Sequence, residues 1–219
     1  MAVKIVEHWN TIPEKMDEYI DFMQKYRIPT MNNLGINIAA LWSVLIGASP
    51  QIISEGIAED LDRLDSALKS KDYSKTNTML LHFVTDYKSK VLVPTGRFQH
   101  LPRVAKRSIV KFSQYWDIIP GKEDEYDSFI RNDFYPAMEE LGIIIGGEWK
   151  ILIGESPNIL LEGRCNHAEI LLKALNSRKF PMMKYKLLKL VTNYASRVLV
   201  FHAFKSMGSR SIGYDFYFV

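Results

Sequence analysis

A single cysteine, Cys165, occurs in 219 residues. One thiol can form neither an internal disulfide nor a multi-thiolate metal site, and the chain fits a reducing, cytoplasmic setting. Long apolar runs are missing as well. The longest, INIAALWSVLIG from Ile36, is broken by Asn37 and Ser43 and falls short of the roughly 18 residues a membrane span requires. The start, MAVKIVEHWN, lacks the charged head and apolar core of an export signal. The sequence contains no G-x-G-x-x-G, P-loop, H-E-x-x-H, G-x-S-x-G or C-x-x-C pattern, so nucleotide cofactors and common hydrolase chemistry lose support. Charge of one sign is also lacking. The 28 basic and 25 acidic residues are interspersed, and the one basic cluster is RVAKR at 103–107. No broad phosphate-binding face is expected, hence no nucleic-acid partner.

What the chain does have is itself, twice. Shifted by 107 residues, positions 3–93 align with 110–200 without a gap, and 38 of the 91 pairs are identical. Trp9 matches Trp116, Trp42 matches Trp149, Pro29 matches Pro136, and Glu55-Gly56 matches Glu162-Gly163. Two copies are too few for a solenoid, so each is read as a complete domain. The expected organisation is a first repeat over 1–96, a linker over 97–108, a second repeat over 109–205 and an aromatic tail over 206–219.

Periodicity within a copy alternates between strand and helix. VKIVEHW reads as a strand. A helix follows from Pro13, with Tyr19, Phe22, Met23 and Tyr26 at helical spacing, and is expected to end before Pro29. INIAALWSVLI and QIISEG form a hairpin about a Gly-Ala-Ser-Pro turn. Leu61, Leu64 and Leu68 mark a helix, a further helical stretch is expected from about Ser74 to Asp86, and KVLVPTGRF returns to strand. The order is β-α-β-β-α-β, an α+β plait whose antiparallel sheet carries helices on one face and needs a second layer on the other.

The wording W-x3-P-x-K-x-DEY-x2-F, then P-x-M-x2-LG, W-x2-LIG-x-SP and EG, present in both copies, resembles the dimeric α/β-barrel (ferredoxin-like) superfamily. Within it the nearest likeness is to NIPSNAP-type and antibiotic-biosynthesis-monooxygenase-type domains. The resemblance implies two facing sheets fused in one chain as an intramolecular α/β barrel around a cavity. It also implies cofactor-independent chemistry on a small apolar or aromatic molecule, and a homo-oligomer is an expected partner state. Tandem relatives include haem proteins of the chlorite dismutase group, whose proximal histidine lies on a helix of the second half; His167 is the nearest candidate here.

Positions kept in both copies serve the fold, and divergent ones can make a single distinct site. On the first strands Val3 and Ile5 alternate with Lys4, Val6 and His8, and Val110 and Phe112 alternate with Lys111, Ser113 and Tyr115. The mixed sets are expected to face away from the helices. His8 and Tyr115 are the candidate catalytic pair, His8 because an imidazole titrating near neutrality suits proton transfer. Lys4, Ser43, Glu55, Lys111, Ser113, Lys150 and Glu162 are candidate ligand-binding residues. Trp42 and Trp149 are expected to pack under helices, which puts Ser43 and Lys150 on the opposite face. No histidine is duplicated, so no metal site is expected. Three readings stand at this stage: a small-molecule-binding protein, with monooxygenase or isomerase chemistry free of cofactor; a haem-handling protein; or an assembly module filled by its own side chains.

Overall fold

The structure, a computed structural model, describes residues 1–48, 50–98 and 110–202. Residues 99–108 of the expected linker and the tail over 206–219 lie outside these residues. Two compact units divide the rest: one holds Met1–Val44, residues 50–91 and 201–202, the other Leu45–Ala48, residues 92–98 and 110–200.

The first unit runs β1 (Val3–Thr11), α1 (Met16–Phe22), α2 (Ile28–Asn33), β2 (Asn37–Ile46), β3 (Ile52–Ala58), α3 (Leu61–Leu68), α4 (Lys71–Leu80) and β4 (Val84–Pro94), the last strand ending within the second unit. The second repeats it as β5 (Val110–Ile118), α5 (Glu123–Phe129), α6 (Tyr135–Glu140), β6 (Ile144–Ile153), β7 (Ile159–Cys165), α7 (Ala168–Leu175), α8 (Lys179–Leu187) and β8 (Val191–Phe201). Strand order is β4-β1-β3-β2 in one and β8-β5-β7-β6 in the other. Both are ferredoxin-like plaits, with β1–β3, β2–β3 and their counterparts antiparallel.

Two local expectations are corrected. The first helix does not end before Pro29. A π-helical turn at Met23–Arg27 joins α1 to α2, and Pro29 falls in the first turn of α2. Ile130–Phe134 and Pro136 repeat the device. Proline lacks an N–H, so it is tolerated where a wider turn has already broken the regular ladder. The helix expected to reach Asp86 stops at Leu80, and β4 starts at Val84. The β-branched Val84-Thr85 favours strand, and Asp86, like its repeat partner Asn193, takes a φ of 55° that a helix cannot hold.

Trp9 shows which face of each sheet meets the helices. Its indole N–H donates to the Tyr19 hydroxyl of α1 at 3.1 Å, and Trp116 donates to Tyr126 of α5 at 3.0 Å. Val3, Ile5, Glu7 and Trp9 therefore face the helices, and so do Val110, Phe112, Gln114 and Trp116. Gly56 and Gly163 lie under this layer. A Cβ on Gly56 would stand 2.6 Å from Ile36 Cγ2, and one on Gly163 2.5 Å from Ile143 Cγ2. Alanine at either position is expected to cost about 1–3 kcal/mol by overpacking, read as a lower denaturant midpoint at unchanged slope; a neutral result would mean that the isoleucines can give way.

Candidate functional site

Lys4, Val6 and His8 lie on the other face of β1, and register carries Ile57, Glu55 and Ile53 with them. Lys111, Ser113 and Tyr115 correspond on β5, with Glu162 opposite Ser113. Lys4, Glu55, Lys111, Ser113 and Glu162 are all buried, whereas His8 and Tyr115 are half-buried. The Arg197 guanidinium sits 5.0 Å from the centre of the Tyr115 ring. His8 and Tyr115 belong to different units.

In each unit the duplicated lysine stands against the duplicated glutamate. Lys111 Nζ donates to Glu162 Oε1 at 2.5 Å, and Trp149 Nε1 donates to Glu162 Oε2 at 2.9 Å. In the first unit Trp42 Nε1 donates to Glu55 Oε2 at 2.9 Å, and Lys4 stands 4.0 Å from Glu55 Oε1. Trp42 and Trp149 thus share the face of the lysines, not that of the helices. A β-bulge explains the reversal: register shifts between Ile38 and Ala40, and between Ile145 and Gly147, so one extra residue inverts every side chain that follows. The same shift corrects two site assignments. Ser43 pairs with Ile52 and Lys150 with Ile159, on the helix-side parity. Ser43 Oγ lies 2.6 Å from His202 Nδ1, and Lys150 is exposed. Burial holds the His202 imidazole below its ordinary value.

The helix side of each sheet holds chemistry that the sequence reading passed over. In the first unit, Glu7 and Arg27 are each 1% exposed, and Arg27 Nη2 donates to Glu7 Oε1 at 2.7 Å. The Tyr87 hydroxyl donates to the same oxygen at 2.5 Å, and that of Tyr73 reaches it at 3.5 Å. Burial first, then the Glu7 charge, pushes both phenols above their ordinary value, so they remain hydrogen-bond donors. Burial works against the Arg27 charge, but Glu7 and the two tyrosines outweigh it and hold the guanidinium above its ordinary value. Arg27 Nη1 is buried without a hydrogen-bond partner among the described residues. Tyr73 and Tyr87 are half-buried and form the accessible edge of this cluster.

The second unit reaches a similar composition from different positions. Glu148 accepts from Tyr126 at 2.5 Å and from Thr95 at 2.6 Å, with Arg97 Nη1 3.7 Å away. Arg97 also pairs with Asp127, and Phe98 meets the Tyr135 ring edge-on at 5.5 Å. The first two residues of the expected linker, Arg97 and Phe98, are therefore packed on this unit. Glu7, Arg27 and Tyr73 match Gln114, Phe134 and Phe180, and Glu148 matches Leu41. These clusters are not remnants of the duplicated plait. Divergence between the copies, which singled out His8, was the signal that would also have found Glu7 on the neighbouring face.

No protein-family model and no curated protein matches the chain. Solved structures do. The "putative monooxygenase" of Fusobacterium nucleatum aligns with a TM-score of 0.63 at 10% identity, over 91% of this chain and 92% of that one. An anthrone oxidase-like protein gives 0.58 at 10% identity over 95% and 94%. Chlorite dismutase from Candidatus Nitrospira defluvii gives 0.66 at 7% identity over 92% and 91%. The chain has the tandem ferredoxin-like fold.

For that fold, haem is tested by the residues present. His167 is exposed and precedes α7 rather than lying on a helix, and α5 to α8 contain no histidine. The space between sheet and helices in the second unit is filled by Phe112, Phe134, Phe180, Met183 and Leu187. These residues do not fit a haem ligated from a helix of this unit. Among the described residues no group of three or more His, Cys, Asp and Glu side chains converges as a metal site. No helix of the described residues is long and apolar enough to cross a membrane. Burial pushes the Cys165 thiol up to about 11, so it stays protonated and unreactive.

Proposed function

We propose that the protein binds a small aromatic or enolisable molecule and acts on it without a cofactor, by monooxygenase or isomerase chemistry. The observation that carries this reading is the Glu7–Arg27–Tyr73–Tyr87 cluster, which has a charged pair, two hydroxyl donors and an unpartnered buried N–H in one repeat only. Structural neighbours described as a "putative monooxygenase" and an anthrone oxidase-like protein are consistent with it. Glu7 is the base. A proton leaving an acidic C–H or O–H of the substrate passes to the Tyr87 oxygen while the Tyr87 proton passes to Glu7, and Arg27 offsets the negative charge left on the substrate. Reprotonation at another carbon completes an isomerisation. With dioxygen as co-substrate, a ring CH2 becomes C=O, one oxygen atom entering the product and the other leaving as water.

A second reading assigns proton transfer to His8, the next residue on β1, because it is half-buried on the opposite face. Oxygen uptake and product formation with anthrone- and naphthol-type substrates separate the two. Tyr87→Phe is expected to lower kcat/KM about a hundredfold with the fold retained, while His8→Ala has little effect. The reverse result moves the chemistry to the other face of the sheet. Native mass spectrometry and a visible absorption scan of the purified chain complete the test. A Soret band would favour the haem reading, and an inert chain carrying no ligand would favour the assembly module.

A further inference from the structure

The two repeats differ in the surfaces that their helices expose. In the first unit, α1, the π turn, the end of α4 and Phe83 just before β4 line an open groove of about 440 Å³. Asp17, Glu18 and Asp21 form its acidic rim, Asp21 also pairing with Lys25 at 2.5 Å, and Phe22, Tyr26 and Phe83 form its floor. Phe22 stacks on Tyr26 at 6.4 Å and packs on Phe83 at 5.2 Å, and Tyr26 is 55% exposed.

On the second unit α8 carries an exposed apolar stripe instead, with Met182 at 49%, Tyr185 at 64% and Leu188, just beyond its end, at 44%. The i, i+3, i+6 spacing puts them on one side of the helix. The fold does not require this stripe, since the first repeat has Lys75 and Thr78 where the second has Met182 and Tyr185. The flanks are basic. Residues 170–202 contain seven Lys and Arg and no Asp or Glu. Lys186 takes the place of Met79, a lining residue of the groove.

We infer that the acidic aromatic groove of one chain receives the basic apolar α8 ridge of a second copy. Carboxylates meet lysines at the edge, and Met182 and Tyr185 cover the exposed ring of Tyr26. Apolar contact at the centre with opposite charge around it is the arrangement protein interfaces use for affinity and for choice of partner. The contact is heterologous, groove to ridge, so repetition gives a ring or an open chain of copies rather than an isologous pair.

Sedimentation velocity of the whole chain across protein and salt concentration tests this. Association is expected to grow with protein and to weaken as salt screens the rim. Asp17→Lys with Asp21→Lys breaks the groove, and Lys186→Glu with Lys189→Glu breaks the ridge. Each exposed pair, with circular dichroism unchanged, is expected to weaken self-association by at least about tenfold. Mixing the two variants leaves one intact groove and one intact ridge, so a one-to-one pair and nothing larger should form. A wild-type chain that stays monomeric at every concentration overturns the inference, as do variants that associate like wild type. A third overturning result is a ridge variant that loses binding only to phosphatidylserine vesicles, which would make α8 a lipid-facing surface.

Discussion

Arg27→Phe is expected to lower the free energy of unfolding by about 3–5 kcal/mol, because it leaves Glu7 as a buried charge without its cation. Both side chains are 1% exposed, so water cannot replace the lost partner. Glu7→Gln alone should cost somewhat less, since an amide still accepts from the Tyr87 hydroxyl while Arg27 loses its counter-ion. The second repeat supplies a solution without the pair, with Gln114 in place of Glu7 and Phe134 in place of Arg27. There the Tyr194 hydroxyl donates to Gln114 Oε1 at 2.9 Å. The double variant Glu7→Gln/Arg27→Phe should therefore recover much of the loss, giving a coupling energy of about 1–3 kcal/mol in a double-mutant cycle. Chemical denaturation of the four proteins measures it. Additive losses would mean that the two residues do not act as a pair, and would remove the support for Glu7 as the base that Arg27 accompanies.

Lys111→Met should produce a loss of comparable size, about 3–5 kcal/mol, because it removes the cation 2.5 Å from buried Glu162. The neutral hydrogen bond from Trp149 does not replace a cation at that distance. Lys4→Met in the first repeat is expected to cost less. Its nitrogen lies 4.0 Å from Glu55 against 2.5 Å for Lys111 and Glu162, so less attraction is lost. Urea midpoints of the two variants give the comparison directly. Equal costs would show that the repeats use the triad identically despite the difference in separation.

Lys–Glu–Trp triads are what the duplicated residues do: they join three strands of a sheet on the face away from the helices. Lys4, Lys111, Glu55 and Glu162 are ligand-contact candidates by sequence, and within each unit the lysine and the tryptophan both stand against the glutamate. The helix-side clusters behave differently, because neither repeat copies the other. Their non-equivalence is why the chemistry proposed here is assigned to Glu7 and its neighbours and not to the duplicated set.

The sequence by itself determined the element order, the two-fold repetition and the parity of β1 and β5. These depend on local periodicity and on self-comparison, both of which are present in the linear string. Lys4 and His8 opposite Val3 and Ile5 could be read from alternation alone. Only the tertiary structure decided where Trp42 and Trp149 point, because one bulge residue in β2 and β6 reverses the alternation, and a bulge has no signature in hydrophobic pattern. Only the tertiary structure could unite Glu7, Arg27, Tyr73 and Tyr87. They come from a strand, a π turn, a helix and another strand, separated by up to 80 residues, and meet when α1, α2 and α4 close over β1 and β4. A charge on a strand reads as solvent-facing until its counter-charge is known, and that counter-charge is brought to it by packing rather than by neighbouring sequence.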